Sequence, residues 1–139
     1  MIIDLTTEYG ARVARRLQDE QVIWLTTVGR DGTPQPNPVW FVWEDNSFLI
    51  YTQDTAYKLR NIRRNPRVSL HFDSGESGED VVVFTGRASL DESAPLAHRH
   101  AAYLEKYRQG IADIDMTPES MGEDYHVAIR VKPDKVRGF

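Results

Sequence analysis

Hydrophobic residues recur at helical spacing near the start of the chain and alternate with polar residues over much of the remainder. Tyr9, Val13 and Leu17 lie four residues apart behind a capping Thr6 or Thr7, which predicts a first amphipathic helix. The period then changes to two. Runs rich in β-branched and aromatic residues, separated by turn residues, predict six strands: 21–29, 34–44, 48–53, 67–72, 81–90 and 125–139.

Three helical segments lie between these strands. The stretch 56–64 is short and ends before Asn65–Pro66, because the residue that precedes a proline avoids the helical region. Residues 93–111 begin with a serine cap and a proline and predict the longest helix, and 117–122 predicts one capped turn. Antiparallel hairpins with helices between them predict one mainly β (α+β) domain over residues 1–139, a small barrel with covering helices.

Two features of the predicted strands stand out. Pro34, Pro36 and Pro38 each lack a ladder donor, so this half of the second strand must lie at an edge or leave its backbone free for a ligand. Gly86 lies inside the fifth strand, where it predicts a bulge or a close approach of backbones. An acidic loop is expected at 73–80.

Charge and composition narrow the class of protein. The net charge of −4 argues against a nucleic-acid binder, which would need a basic surface for phosphates. The chain contains no cysteine, which fits a cytoplasmic protein and excludes thiolate chemistry. No apolar run approaches the roughly 20 residues that span a bilayer, and the N-terminus turns polar too early for a signal peptide. We expect a soluble cytoplasmic protein that binds neither nucleic acid nor membrane.

The usual catalytic side chains show no convergent pattern. His98 and His100 are two residues apart on a predicted helix, so they would face different directions and could not share a metal. None of the serines has the glycine neighbours of a nucleophile elbow. We therefore expect no metal site and no hydrolytic machinery.

The segment 52–66 has the features of an anion site. It leads from a strand end into a short helix, whose first amides and positive dipole end favour a negative charge. Lys58, in the first turn, can reach the same anion. For Arg60, Arg63 and Arg64 a solvated basic helix face explains the sequence equally well.

The predicted strand 34–44, which contains three prolines, offers an apolar surface that could bind the rest of a ligand whose anionic group lies at 52–66. Residues 37–40 combine free backbone groups with large apolar side chains, which suits a flat heterocycle that has an imide edge. Trp40, Phe41, Val42 and Trp43 are consecutive, and one face of a strand can bury only alternate residues in its own barrel. The other face then needs cover, which predicts a partner subunit.

The succession of "NPVWFVW", "LIYTQ", "KLRNIRRNPRVSLHFD" and "VVVFTGRASL" resembles the pyridoxamine 5'-phosphate oxidase-like superfamily of split β-barrel flavin-binding proteins. The similarity runs over essentially the whole chain and is greatest to the branch of probable coenzyme F420-dependent enzymes. The resemblance implies a six-stranded antiparallel split β-barrel and a homodimer with two cofactor sites in the subunit interface. It implies a cofactor site formed by Asn37, Pro38, Val39, Trp40, Tyr51, Thr52, Gln53, Ala56, Tyr57, Lys58 and Arg64.

One departure from the family bears on the cofactor. The oxidases of the superfamily carry Ser-Arg-Lys where this chain has Ala56-Tyr57-Lys58, and we expect no place for their substrate-binding C-terminal extension in this shorter sequence. Pyridoxine phosphate oxidation is therefore not expected. Fewer side-chain contacts to the phosphate are compatible with coenzyme F420, because its anionic tail offers a second group for the protein to bind.

The resemblance implies an F420-dependent reductase that passes hydride to a small organic acceptor. An FMN-dependent oxidoreductase and a non-catalytic flavin- or deazaflavin-binding protein are the alternatives. Tyr51, Tyr103 and Tyr125 could donate a proton, although packing explains each of them more simply.

Overall fold

The computed structural model describes residues 2–139, which form a single antiparallel seven-stranded sheet with four α-helices. The sheet order is β2-β1-β5-β6-β7-β4-β3, and every neighbouring pair is antiparallel. This α+β arrangement confirms the predicted split-barrel class. The strands are Val22–Val28 (β1), Pro34–Trp40 (β2), Val42–Glu44 (β3), Ser47–Thr52 (β4), Arg67–His71 (β5), Val82–Leu90 (β6) and Val127–Gly138 (β7). The helices are Glu8–Asp19 (α1), Tyr57–Arg64 (α2), Ala101–Asp113 (α3) and Pro118–Asp124 (α4).

The sheet has seven strands rather than the predicted six because the stretch 34–44 divides at Phe41. The Phe41 N–H donates to the Tyr107 hydroxyl at 2.8 Å, and the Phe41 carbonyl accepts from Lys106 Nζ at 3.0 Å. Both partners lie on α3, so side chains replace the sheet ladder at this residue. β2 then pairs with β1, whereas β3 pairs with β4.

The predictions for the edge strand and the bulge are confirmed. Among the described residues, β2 pairs only with β1 and forms one edge of the sheet. Pro34, Pro36 and Pro38 have no N–H, so the ladder to β1 must run through the alternate residues 35, 37 and 39. The β6–β7 register shifts between Thr85 and Gly86, and a Cβ on Gly86 would lie 2.3 Å from the Lys132 carbonyl oxygen.

β4 separates the two hydrophobic cores of the domain. Phe48 and Ile50 face the barrel core, which α1 and α2 also cover. Leu49 and Tyr51 face the opposite way, into a second core under α3 and α4. All six residues of β4 are buried, because the strand is covered on both faces. Each large apolar side chain buried in this way contributes roughly 1.5–3 kcal/mol.

The longest helix begins later than its sequence predicts. Ser93 bonds back to Asp91 in a turn, a 3₁₀ turn follows at Ala97–Arg99, and α3 starts at Ala101. His100 caps α3 by accepting the Tyr103 N–H on Nδ1 at 3.1 Å. His98 and His100 therefore do not share a helix. Within residues 2–139, no three His, Asp or Glu side chains converge as metal ligands would.

Helix α3 also supplies the cover that was expected from a second subunit. Trp40 stacks on Tyr107 with ring centroids 4.6 Å apart, and Val42 is buried in the core beneath α3. Phe41 is fully buried, and Trp43 packs edge-on to Phe48 at 4.9 Å. The four consecutive apolar residues are thus accommodated within one chain, so the expectation of a dimer cannot rest on them. No helix in the stretch 2–139 combines the length and apolar character that a membrane span requires.

Candidate cofactor site

A cavity of about 360 Å³ lies where β2, β4 and α2 end or begin next to the α3–α4 layer. Its walls bring together residues that are far apart in the sequence and that were predicted to form one cofactor site. Six of the predicted cofactor residues line it: Pro38, Val39, Trp40, Tyr51, Thr52 and Lys58.

Lys58 carries the positive charge of this cavity. Its Nζ lies 3.4 Å from the Thr52 hydroxyl, a long contact to a buried residue. None of the ion pairs within residues 2–139 includes Lys58. Burial lowers the pKa of Lys58, because an ammonium without a counter-ion is disfavoured away from water. An anion in the cavity would supply the missing counter-charge.

The start of α2 adds backbone donors to this charge. The helix has no acidic residue in its first turn, and its N-cap, Ala56, makes no side-chain cap bond. The first amides of a helix have no intrahelical partner, which leaves those of Tyr57 and Lys58 available. The Ala56 N–H is engaged, since it donates to the Gln53 carbonyl at 3.2 Å. Ala56 and Gln53 thus shape the turn after β4 and do not line the cavity.

The remaining predicted residues line a second and larger cavity, about 1270 Å³, beside the first half of β2. Asn37, Tyr57 and Arg64 lie there, together with Arg30 and Arg60. Asp31 contributes the one carboxylate of this wall. Arg64 is exposed and donates to Asn61 Oδ1 at 2.8 Å. The predicted site is therefore divided between an apolar cavity with one lysine and an open, arginine-rich one.

Asn61 is a positioning residue that the sequence reasoning missed. It is 3% exposed, and its amide nitrogen donates to Thr27 Oγ1 at 2.9 Å and to Gln35 Oε1 at 2.8 Å. These bonds fasten α2 to β1 and β2. An asparagine between the apolar Leu59 and Ile62 of an amphipathic helix was the available signal, because a buried amide requires partners.

The tyrosines of the cavity differ in how their hydroxyls are used. The Tyr51 hydroxyl donates to the Pro95 carbonyl at 2.5 Å, and burial raises the pKa of Tyr51 to about 12. The Tyr51 hydroxyl is therefore already engaged by a partner within the fold. Tyr103 and Tyr125 line the same cavity.

A known family model covers almost the whole chain. The family model for pyridoxamine 5'-phosphate oxidase matches residues 10–139. The chain belongs to that family. No curated protein sequence matches it.

Solved structures extend the comparison. Conserved hypothetical protein Rv2991 from Mycobacterium tuberculosis is 25% identical, over 94% of this chain and 82% of that chain, with a TM-score of 0.74. An F420 reductase is 25% identical, over 88% of this chain and 94% of that one, with a TM-score of 0.66. The heme storage protein HutZ from Vibrio cholerae is 18% identical over 94% of both chains, with a TM-score of 0.64, and shares the fold alone.

Proposed function

We propose that this chain is an F420-dependent reductase that transfers hydride from the reduced deazaflavin to a small organic acceptor. The observation that carries the proposal is the position of Lys58. Within residues 2–139 its ammonium has no acidic partner, and it borders a cavity that is also lined by Pro38, Val39 and Trp40. A phosphate at Lys58 would be joined by the free amides at the start of α2.

The edge strand suits the ring of such a cofactor. Since residues 35, 37 and 39 make the ladder to β1, the backbone groups of Pro38 and Trp40 point to the open edge. They comprise the Pro38 carbonyl and both the N–H and the carbonyl of Trp40. An imide edge needs both donors and acceptors, and the apolar side chains of this wall can pack against the ring face.

Two features favour F420 over FMN. Ala56 and Tyr57 stand where the oxidases that the chain resembles have a serine and an arginine, so the serine hydroxyl and the guanidinium that hold FMN phosphate there are missing. Arg30, Arg60 and Arg64 line the second cavity, where they could attract the anionic tail of F420. The 25% identity to an F420 reductase supports the same choice.

The cofactor sites are proposed to lie in the interface of a homodimer. Residues 34–38 of β2 are all exposed in a single chain, and β2 is an open sheet edge. Val22 and Ile114, both cavity residues, are 45% and 50% exposed. A second subunit over this region would bury apolar surface and close the cavity against water.

The bound deazaflavin would supply the hydride chemistry, and the chain would supply binding, orientation and shielding. Lys58 would hold the phosphate, the β2 edge would align the ring, and Trp40 would limit access of water. Trp40 is held by its stacking on Tyr107. Gly110 leaves room for the indole, since a Cβ at that position would lie 3.2 Å from it.

Titration of the purified protein with F420 and with FMN, followed by reduced-cofactor absorbance in the presence of enones and quinones, tests the proposal. We expect tighter binding of F420 and oxidation of its reduced form by at least one acceptor. Tighter binding of FMN with turnover would indicate an FMN-dependent oxidoreductase. Binding without turnover on any acceptor would indicate a flavin- or deazaflavin-binding protein.

A further inference from the structure

Three buried tyrosines pack together beside the cavity, and two of their hydroxyls have protein partners. Tyr103 lies in the middle, with ring centroids 4.9 Å from both Tyr51 and Tyr107. The Tyr51 hydroxyl donates to the Pro95 carbonyl, and the Tyr107 hydroxyl donates to the Gln21 carbonyl at 2.6 Å. These two phenols are therefore committed to the fold.

The Tyr103 hydroxyl differs from its neighbours. Its side chain makes no hydrogen bond within residues 2–139, since the contact with His100 is made by the Tyr103 backbone N–H. Tyr103 as a whole is only 1% exposed. Within residues 2–139, however, His98 Nδ1 is the only side-chain polar atom that is both fully enclosed and without a hydrogen-bond partner, so the unbonded Tyr103 hydroxyl is not fully enclosed. The Tyr103 hydroxyl must therefore border open space, and the residue lines the 360 Å³ cavity.

An unpaired phenol in this position has a defined chemical character. Burial, reinforced by the nearby phenols of Tyr107, Tyr51 and Tyr125, raises the pKa of Tyr103 far above its usual range. The hydroxyl therefore stays protonated and acts as a neutral donor, not as a base. Leaving such a donor without a partner costs free energy that an acceptor atom would recover.

We propose that the Tyr103 hydroxyl donates a hydrogen bond to a carbonyl oxygen of a planar ligand in this cavity. The inference rests on the proposed function and adds a named contact to it. Both the deazaflavin ring and a conjugated carbonyl acceptor carry such an oxygen. Val39, Trp40 and Met121 give the same cavity apolar walls. Lys58 is the one charged side chain among the described residues that line it, so a neutral carbonyl on a flat ring suits the part of the cavity that Lys58 does not serve.

Tyr103→Phe tests the contact, with Tyr107→Phe as a matched control, because the Tyr107 hydroxyl is bonded within the fold and Tyr107 does not line the cavity. Lumiflavin, the flavin ring without a phosphate, serves as the ring probe by fluorescence titration, and 2-cyclohexenone serves as the acceptor in turnover assays. One lost neutral hydrogen bond should weaken the affected ligand roughly two- to tenfold. Tyr103→Phe should unfold in urea at the parent midpoint or above it, whereas Tyr107→Phe, which loses the bond to Gln21, should unfold earlier.

The outcomes separate the two sources of the carbonyl. A raised lumiflavin Kd in Tyr103→Phe assigns the contact to the cofactor ring. An unchanged lumiflavin Kd with a raised KM for 2-cyclohexenone assigns it to the acceptor. If Tyr103→Phe matches the parent in both, the inference is wrong while the proposed function stands. A parent protein that binds neither F420, FMN nor lumiflavin overturns the proposed function and this inference with it.

Discussion

The side-chain amide of Asn61 on α2 donates to the hydroxyl of Thr27 on β1 across 2.9 Å, and both residues are buried. Asn61 follows Lys58 by three residues, less than one helical turn. The Asn61–Thr27 bond therefore fixes the orientation of the helix that presents the Lys58 ammonium to the cavity. The buried Asn61–Thr27 contact and the half-buried Lys58 ammonium therefore belong to one structural unit.

Replacing Asn61 by alanine should destabilise the fold by about 1–3 kcal/mol, the cost of leaving a buried polar group without its partner. The Thr27 hydroxyl and the Gln35 amide both lose a bond in this variant. Urea denaturation of the parent and the variant measures the difference. Arg64→Ala is the control, because it removes only an exposed donor to Asn61 and should change stability by less than about 0.5 kcal/mol. Equal effects of the two changes would contradict the role of Asn61.

The sequence predicted those features that depend on neighbouring residues. The proline spacing in β2 predicted an edge strand, Gly86 predicted the bulge, and Thr117 predicted a cap, which the capping box with Ser120 confirms. The division at Phe41 could not be predicted, because it depends on Tyr107, which is 66 residues away. The late start of α3 was missed for a similar reason, since a histidine and not Ser93 forms the cap.

The candidate site was predictable only in part. Lys58 and Trp40 were found because each belongs to a local pattern, and both line the same cavity. Asn61 was missed because its partners lie on two other strands. The free hydroxyl of Tyr103 is recognisable only once the partners of the other tyrosines are known.

Lys106 should give the fold a distinctive dependence on pH. Burial lowers the pKa of Lys106 to about 8, although Glu20 and Asp19 oppose the shift. Between that value and the ordinary pKa near 10.5, the unfolded chain holds a proton that the folded chain has released, so stability rises with pH. Lys106→Met lacks this titration. Its stability relative to the parent should be highest near pH 7 and should fall as the pH rises through 8 toward 10.

Urea denaturation at pH 7 and at pH 9.5 checks this prediction. Lys135→Met is the control, since Lys135 is exposed. If the difference in the free energy of unfolding between Lys106→Met and the parent is the same at both pH values, Lys106 keeps its proton in the folded state. The stated effect of burial would then be wrong.

Sedimentation at micromolar concentration should give the mass of a dimer, with an interface that buries on the order of 2,000 Å² or more. Ile114→Glu should shift the protein toward the monomer, because Ile114 is half exposed at the mouth of the cavity that the partner is proposed to cover. Leu5→Glu is the control, as Leu5 is equally exposed but does not line that cavity. A parent protein that sediments as a monomer would rule out the interface.

The most direct test of the account is calorimetric titration of F420 into the parent, Lys58→Ala and Arg63→Ala. Lys58 borders the cavity, whereas Arg63 is an exposed cation on the same helix that does not line either cavity described above. Loss of a hydrogen bond to a charged phosphate should cost about 1.5–3 kcal/mol, so Lys58→Ala should bind roughly tenfold to a hundredfold more weakly, and Arg63→Ala should bind nearly as the parent does. If Lys58→Ala binds F420 as tightly as the parent, the phosphate lies elsewhere and the proposed site is wrong.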